Sequence, residues 1–314
     1  MTQSVAIIGA GVSGLTCGVV FAERGFRSAI FAQETGQRTT SAAAGALWFP
    51  YDAQPVDKVI EWALETYKVL IELSDEASSG VSRIELCQFS RIGEIPIPDW
   101  ANSLGARRLN GDEVVSAFAS GFALEVPMMD TTIYLDYLAN RFVAAGGEFN
   151  GNVRFEKPEG VDPKFDLVIN CAGIGARSLV YDLDLEPHRG QVAIVPKIDN
   201  LSRAIVCDDA PLMYAIPRTN DCVFGGTNEL SDNLNVDPTS TSGIVAECSR
   251  VLNVENPRVL AERVGLRPFR KSGVRLEREQ LRDNRSVIHN YGHGGSGFTL
   301  SWGCAASVFS LGTS

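Results

Sequence analysis

Val5-Ala6-Ile7-Ile8-Gly9-Ala10-Gly11-Val12-Ser13-Gly14 joins a short apolar run to a Gly-x-Gly-x-x-Gly turn. The pattern predicts a buried parallel strand over 5–8 and a helix over 15–24 that Gly25 ends. A second apolar run over 28–31 completes a strand, turn, helix and strand. In that setting the glycines allow a tight turn, and the helix N-terminus can receive a pyrophosphate. The segment therefore predicts a doubly wound α/β domain that binds a dinucleotide.

The same fingerprint calls for an acidic residue about 20 positions after the glycines, which holds the ribose hydroxyls. The position directly after the second strand is Ala32, and Glu34 lies two residues later. The sequence leaves two interpretations of Glu34 open. It binds the ribose, or it is a solvated charge in a loop.

Charge and composition argue against several classes of partner. The chain carries 28 Lys and Arg against 38 Asp and Glu, a net charge of -10. Nucleic acids and anionic membranes attract basic surfaces, so we expect neither as a partner. No apolar run reaches the roughly 20 residues of a membrane helix. With 314 residues and 45% apolar content, the chain fits two domains or one large α/β unit.

Seven cysteines are scattered along the chain without a Cys-x-x-Cys pair. This pattern argues against a disulfide framework or a zinc site and favours a reducing compartment. We therefore expect a cytoplasmic protein without a metal site, whose free cysteines pack as small apolar side chains. The N-terminus enters a strand directly, so we expect no signal peptide.

Hydrophobic spacing and turn residues predict the remaining elements. Apolar residues at helical spacing predict a helix over 56–73. Asp130 is expected to cap a helix over 131–145. From 81 to 128, short β-like runs indicate part of a second domain. Further elements are expected as a strand from 165 to the turn 170–173, a strand over 192–195, paired strands 212–218 and 222–227, and helices over 244–252 and 303–311.

Two late segments carry the candidate chemistry. Val274-Arg275-Leu276-Glu277-Arg278-Glu279 offers a fixed cation at Arg275. The segment 289–299 is rich in glycine, which lets the main chain approach a ligand closely. An arginine followed by such a turn indicates a site that grips a small anion against a flat cofactor. The N-terminal turn suits NAD or FAD equally; the late glycines and Asn170-Cys171-Ala172-Gly173 favour FAD, since both suggest a long cofactor.

These motifs resemble those of the D-amino-acid oxidase family, flavin oxidases that include D-aspartate oxidase and, more distantly, glycine oxidase. The resemblance runs nearly end to end and is sharpest at 9–14, 39–51, 170–173, 189–191, 214–217, 265–279 and 289–304. It implies an FAD-binding doubly wound (Rossmann-like) domain interleaved with a substrate domain built on an antiparallel sheet. The implied bounds are 1–48, 131–186 and 280–314 for the FAD domain, and 49–130 and 187–279 for the substrate domain.

The resemblance also implies a reaction. A D-amino acid transfers a hydride from Cα to flavin N5 and becomes an imino acid, which water hydrolyses to a 2-oxo acid and ammonia. The reduced flavin then passes its electrons to O₂, which gives hydrogen peroxide. Positioning and the flavin's own chemistry then supply the catalysis, so His289 and His293 are expected in structural or flavin-adjacent roles. The implied cofactor is FAD, and the expected partners are a small D-amino acid and O₂, with a homodimer as the candidate assembly.

The resemblance assigns roles to individual residues. Arg275 matches the arginine that clamps the α-carboxylate through two parallel bonds; the alternative is a surface ion pair with Glu277 or Glu279. Tyr214 matches the tyrosine whose hydroxyl touches the same carboxylate, and Gly295 the position whose carbonyl receives the amine. Cofactor contacts are expected from Gly9, Gly11, Val12, Ser13, Gly14, Glu34, Thr40, Ser41, Ala44, Gly45, Ala46, Ala172, Gly294, Gly295, Ser296, Gly297, Phe298 and Thr299.

Departures from the family pattern bear on the substrate. The segment 197–212 is short, so the active-site lid of animal members is expected to be absent. The aspartate-specific branch places basic residues near the side-chain pocket, where this chain has Phe49 and Asn228. We therefore expect neutral D-amino acids. The alternatives are a glycine or sarcosine-type oxidase, a D-aspartate oxidase, a flavin dehydrogenase, a nicotinamide-dependent reductase and a non-catalytic flavoprotein.

Overall fold

The computed structural model describes residues 3–314, which form helices and strands joined by loops. The helices are α1 (Val12–Ala22), α2 (Val56–Leu73), α3 (Asp99–Ser103), α4 (Thr131–Ala144), α5 (Ala176–Leu179), α6 (Pro238–Leu252) and α7 (Gly297–Thr313). The strands are β1 (Ser4–Ile8), β2 (Arg27–Ala32), β3 (Val81–Ser90), β4 (Arg107–Arg108), β5 (Ser120–Met129), β6 (Glu148–Gly151), β7 (Leu167–Asn170), β8 (Leu185–Pro196), β9 (Arg203–Cys207), β10 (Met213–Pro217), β11 (Asp221–Gly225), β12 (Glu229–Leu230), β13 (Ala261–Arg270), β14 (Arg275–Gln280) and β15 (Ser286–Tyr291).

A six-stranded sheet with the order β14-β15-β7-β1-β2-β6 forms the first layer. Strand β1 is parallel to β2 and β7, and all five of its residues are buried. A continuous apolar strand buried on both faces is what a central parallel strand requires. The predicted strand-turn-helix-strand unit and the doubly wound fold class are confirmed.

The turn after β1 depends on glycine. Gly9 has φ +112, and a Cβ there would overlap the carbonyl of Cys171 after β7. A Cβ on Gly14 would overlap the carbonyl of Gly9. Both glycines therefore let α1 start directly against the sheet, which places the helix N-terminus over the carboxyl ends of β1 and β7.

A nine-stranded sheet forms the second layer, with the path β12-β8-β11-β10-β9-β3-β5-β4 and with β13 paired to β8. The hairpin of β10 and β11 was predicted and forms, with Tyr214 opposite Gly225. The sheet is not purely antiparallel as expected, because β3 runs parallel to β9. These two strands are joined by the excursion through the first sheet, so no hairpin fixes their relative direction.

Three helix starts differ from the prediction. Helix α1 begins at Val12, because glycines are tolerated in its first turn. Helix α6 begins at Pro238, where the carboxylate of Asp237 accepts bonds from the backbone N–H groups of Thr239 and Ser240. Proline is favoured at the first helical position, and this start signal lies before the apolar spacing begins. Asp130 caps α4 as predicted, accepting from Thr132 N at 3.0 Å.

The third difference lies at the C-terminal helix. Helix α7 starts at Gly297, inside the glycine-rich segment, and not near Gly303. The glycines are therefore a helix N-terminus as well as a turn. Strand β14 pairs with β15 in the six-stranded sheet, although the predicted bounds assign 275–279 to the substrate domain. The remaining domain bounds stay a prediction.

Helix α7 packs against α1 and α2 and links the two layers. At the crossing with α2, a Cβ on Gly303 would overlap the backbone of Trp62. The Gly303 N–H donates to Thr66 Oγ1 at 2.9 Å, which keeps the helices this close. No helix in residues 3–314 combines the length and the apolarity needed to cross a bilayer.

We expect Gly303→Ala to lower the free energy of unfolding by about 1–3 kcal/mol, because the methyl group pushes α7 away from α2. The matched control is Gly243→Ala in α6, where a Cβ meets nothing within 4 Å. That variant should gain about 0.5–1 kcal/mol, since alanine is the better helix former. Thermal and urea unfolding of both variants check the pair. Equal changes for both substitutions would contradict the close crossing.

Candidate active site

A cavity of about 620 Å³ is lined by residues of both sheets. The loops after β1, β2 and β7 line one end, and β8, β9, β10 and β13 line the other. The first turn of α7 also reaches the cavity wall, through Gly297 and Phe298. A cavity at the carboxyl ends of parallel strands is where doubly wound folds hold their cofactors.

The N-terminal fingerprint lies at the first end of the cavity. Gly9, Gly11, Val12 and Ser13 line it. Gly11 is the N-cap of α1 and provides no side-chain cap, while Val12 N donates to Ser41 Oγ at 2.9 Å. The remaining N–H groups of this helix end suit an anion such as a pyrophosphate. Gly14 does not line the cavity; its role is the close helix–strand packing described above.

The other predicted cofactor contacts mostly line the same end. They are Glu34, Thr40, Ser41, Ala44, Gly45, Ala46 and Ala172. Glu34 pairs with Arg38 at 3.0 Å, and both side chains are largely exposed at the rim. The two interpretations of Glu34 therefore stay open.

The glycine-rich segment forms one wall of the cavity. Gly294, Gly295, Gly297 and Phe298 line it, whereas Ser296 and Thr299 do not. A Cβ on Gly294 would overlap the backbone of Asp52. The absence of side chains at this wall lets the main chain of 294–295 face the cavity directly.

Ser296 and Thr299 hold the neighbouring segment in place instead. Ser296 Oγ accepts from Tyr51 N at 2.7 Å and donates to the Tyr51 carbonyl. Thr299 Oγ1 accepts from Phe49 N at 3.1 Å and donates to the Phe49 carbonyl at 3.0 Å. Two hydroxyl groups at the start of α7 thus hold the backbone of Phe49 and Tyr51, two of the aromatic residues that line the cavity.

The two histidines of this region are structural. His293 Nε2 lies 3.0 Å from Asn290 Oδ1, and burial lowers the pKa of His293 to about 4. His289 lies between Asn170 and Glu279, at 3.2 and 3.1 Å, and burial lowers its pKa too. His293 is therefore neutral at pH 7 and is held by a neighbouring side chain.

Tyr214 lines the second end of the cavity together with Arg267, a residue that the sequence analysis did not single out. Burial raises the pKa of Tyr214, and the positive charge of Arg267 opposes the rise. A Cβ on Gly225 would overlap the Tyr214 ring, and a Cβ on Gly190 would overlap the Arg267 guanidinium. Two glycines on neighbouring strands thus leave the space in which these side chains lie against the sheet.

Arg275 does not lie in this cavity, and its predicted role is corrected here. Its guanidinium reaches Glu277 Oε1 at 2.6 Å, Glu279 Oε2 at 2.9 Å and the Tyr291 hydroxyl at 2.9 Å. Residues 275, 277 and 279 point to one face of β14, so the pairing follows from strand alternation. The hydrogen bond from Arg275 lowers the pKa of Glu277. Arg275 therefore forms the ion pair with Glu277 and Glu279 that the sequence analysis gave as the alternative.

The two predicted pocket residues differ in position. Phe49 lines the cavity and packs edge-on against Trp100 with ring centroids 5.5 Å apart. Asn228 is exposed at the rim. Its Nδ2 lies 3.4 Å from the Tyr51 hydroxyl and its Oδ1 lies 3.5 Å from Arg267 Nη1.

Among the lining residues to which the sequence analysis gave no role, three bear on the proposed substrate, namely Arg267, Tyr51 and Asp208. The sequence does contain a signal for Arg267. In Gly265-Leu266-Arg267-Pro268 the glycine and the arginine are two residues apart, so in a strand they share one face, and the glycine leaves room beside the cation. Asp208 follows β9 directly, and a polar residue at a strand end is a common site position. Tyr51 lies in the aromatic turn 48–51, which the sequence marked without assigning a role.

The donor set of the cavity fits a flavin dinucleotide. The uncapped N-terminus of α1 and the exposed main chain at 294–295 are separated along one continuous cavity. The first suits the pyrophosphate, and the second is a stretch of glycine main chain on the cavity wall, which suits close contact with a flat ring. Residues 9–13 and 39–46 would hold the adenosine and phosphate part, and residues 294–298 the ring system.

Comparison with known proteins bears on this assignment. The chain matches the DAO family, described as FAD dependent oxidoreductase, over residues 4–311. It is 37% identical to a D-amino-acid oxidase of Rubrobacter xylanophilus, covering 97% of this chain and 94% of the relative. It is 38% identical to a D-amino-acid oxidase of Streptomyces coelicolor, covering 98% and 96%.

A solved structure, glycine oxidase from Geobacillus kaustophilus, superposes with a TM-score of 0.81 at 18% identity, covering 99% of this chain and 95% of that one. This likeness supports the fold alone. Together with the fingerprint at the cavity, the family match over residues 4–311 shows that the chain belongs to the DAO family of FAD-dependent oxidoreductases.

Proposed function

We propose that this protein oxidises D-amino acids to 2-oxo acids, with release of ammonia and hydrogen peroxide. The observation that carries the proposal is the meeting of Arg267, Tyr214 and Gly295 around one end of the cofactor cavity. These groups offer a cation, a hydroxyl and a peptide unit to a small zwitterion. The relatives named D-amino-acid oxidase support the D configuration.

Arg267 takes the carboxylate-binding role first assigned to Arg275. Its Nη1 donates to the Thr227 carbonyl at 2.9 Å, which fixes the plane of the guanidinium. The remaining N–H groups can form the two parallel bonds that suit a carboxylate. The Tyr214 hydroxyl, on β10 of the same sheet, can donate to the same carboxylate.

Gly295 is proposed to receive the substrate amine on its carbonyl. The Cβ position of Gly295 would overlap the Tyr51 ring, so the backbone lies close under this aromatic side chain. With the carboxylate at Arg267 and the amine at Gly295, two points of the substrate are fixed. Together with the cavity wall that meets the side chain, these two points determine which way the Cα hydrogen points.

The protein's own groups bind, orient and exclude water. Burial lowers the pKa of His293 to about 4, so its imidazole is a weak base, and its Nε2 is hydrogen-bonded to Asn290 Oδ1; we assign it no transfer of the Cα hydrogen. When bound, FAD supplies the redox chemistry: it accepts a hydride and returns two electrons to O₂. Phe49, Leu212 and Ile216 give the cavity apolar walls around the reacting end.

The neutral substrates expected from Phe49 and Asn228 stay part of the proposal. Glycine or sarcosine oxidation, D-aspartate oxidation and dehydrogenase behaviour are the competing functions within this superfamily. A homodimer and a cytoplasmic location stay predictions from the sequence.

A peroxide assay over paired D- and L-amino acids tests the proposal. We expect a yellow protein that yields peroxide with D-alanine, D-methionine and D-phenylalanine but not with their L-enantiomers. Glycine, sarcosine and D-aspartate test the competing oxidases, and a dye acceptor under low oxygen tests the dehydrogenase. Faster turnover of glycine or D-aspartate than of every neutral D-amino acid would refute the substrate assignment.

Replacing each of the two arginines separates their roles. We expect Arg267→Ala to lower kcat/KM for D-alanine about 100-fold or more, mainly through KM, because two charge-assisted bonds are lost. Arg275→Ala should leave kcat/KM close to wild type but lower the melting temperature, since Glu277 and Glu279 lose their partner. Steady-state kinetics and thermal unfolding check both variants. The reverse outcome would restore Arg275 as the clamp.

Tyr214→Phe removes the hydroxyl but keeps the ring that fills the space above Gly225. We expect kcat/KM to fall about tenfold with little change in stability. Tyr67→Phe is the matched control, because that hydroxyl lies outside the cavity and meets the Glu125 carbonyl at 3.3 Å. If both variants behave alike in steady-state kinetics, Tyr214 does not touch the substrate.

A further inference from the structure

The part of the cavity wall that follows β9 carries an acidic side chain. Asp208 follows β9 and lines the cavity, and its side chain is accessible from the cavity interior. In the register of β9 and β10, Val206 lies opposite Tyr214 and Cys207 opposite Met213. The next pair in that register is Asp208 with Leu212, and both residues line the cavity.

This register gives the distance from the proposed carboxylate site. Tyr214 and Leu212 are two residues apart on the same strand face, so Asp208 lies about 7 Å along the strand from the Tyr214 level. An amino acid held at Arg267 and Tyr214 by its carboxylate reaches that level with a side chain of about three or four carbons. The position of Asp208 is therefore that of a contact for the end of a substrate side chain.

The surroundings of Asp208 supply no positive charge. Within residues 3–314 its carboxylate accepts one hydrogen bond, from Gln88 Nε2 at 2.9 Å. The surrounding protein raises the pKa of Asp208, and the charged groups that act on it, Asp209 and Asp52, raise it further. A carboxylate that lines the cavity and has no cationic partner among the described residues is stabilised by an incoming cation.

Two further acceptors at this place are unsatisfied. Gln88 is 3% exposed, and its Oε1 accepts no hydrogen bond from any described residue, although its Nε2 touches Asp208. Asp52 Oδ2 is likewise buried and has no donor within the part of the chain that the structure describes. Gln88 lies opposite Val206 on the face that Leu86 also presents to the cavity. Neither Gln88 nor Asp52 lines the cavity, so these acceptors add negative potential around Asp208 and are not themselves contacts for a ligand.

Tyr51 lies near both the carboxylate of Asp208 and the guanidinium of Arg267. The carboxylates of Asp208 and Asp52 raise its pKa in addition to burial, whereas Arg267 lowers it. The Tyr51 side chain is therefore near both groups. The cavity presents the cation of Arg267 and the carboxylate of Asp208, which together are the complement of an anion and a cation on one short molecule.

We propose that Asp208 is a specificity-determining residue that recognises an ammonium or guanidinium group at the end of the substrate side chain. The inference rests on the proposed function for its carboxylate anchor, and it revises the neutral preference expected from Phe49 and Asn228 in favour of basic D-amino acids whose side chains reach Asp208. Acidic side chains are disfavoured by the same carboxylate, because two like charges would lie close together.

Isosteric pairs of ligands test the proposal. D-Ornithine and D-norleucine differ only in an ammonium group against a methyl group. The same holds for 5-aminopentanoate and hexanoate, which lack an α-amine and therefore cannot be deaminated. We expect the cationic member of each pair to be favoured about tenfold or more, in kcat/KM for the amino acids and in Kd for the acids. The Kd is read from the visible spectrum of the FAD-bound enzyme.

Three variants assign the effect to the residue. Asp208→Asn should bring both ratios close to one, and Asp208→Lys should make D-glutamate preferable to D-ornithine. Asp209→Asn is the matched control: its carboxylate accepts from Ser90 Oγ at 2.8 Å and Arg91 N at 2.6 Å, outside the cavity. Asp209→Asn should keep the ratios of the parent enzyme.

Three outcomes would overturn the proposal. Hexanoate binds as tightly as 5-aminopentanoate, or Asp208→Asn and Asp209→Asn change the ratios alike, or Asp208→Asn weakens D-ornithine and D-norleucine equally because it holds the α-amine. A protein that yields no peroxide from any D-amino acid would refute the proposed oxidase function. The binding ratio of the two non-oxidisable acids would still decide the role of Asp208.

Discussion

The close approach of residues 49–52 to the N-terminus of α7 is the constraint on which the cavity depends. Ser296 and Thr299 each accept from and donate to the backbone of this segment, and a Cβ on Gly294 would push it away. Helix α7 also packs on α1 and α2. Its N-terminus therefore fixes the position of residues 49–52 relative to the glycine turn at the start of α1. A cofactor wall and two substrate-facing aromatic rings are thus fixed by one set of contacts.

Much of the fold could be predicted from local sequence. Apolar runs and glycine positions located β1, α1 and β2, and an acidic cap located the start of α4. The parallel pair β3 and β9 could not be predicted, because parallel pairing between distant segments leaves no turn signal. The start of α6 was missed because its cap and proline precede the apolar spacing.

The candidate site was less predictable, and the two arginines show why. Residues 267 and 275 lie near each other in sequence, each in a strand with alternating polar side chains. The fold sends β13 to the nine-stranded sheet beside Gly190 and β14 to the edge of the other sheet. Only the strand pairing decides which guanidinium meets the cavity. Asp208 was missed for a related reason. Its lack of a cationic partner within the described part of the chain becomes visible only when the fold brings Gln88 and Asp52 close to it.

The charged row on β14 has a consequence of its own. This strand is an edge of the six-stranded sheet, and its residues from Glu277 to Gln280 are exposed. An open edge is a template on which another chain can add a strand. Exposed side chains of both signs along Glu277, Arg278 and Glu279 disfavour that addition, and Arg275 holds the two carboxylates in place. An arginine outside the cavity thereby disfavours ribbon-like self-association of the molecule.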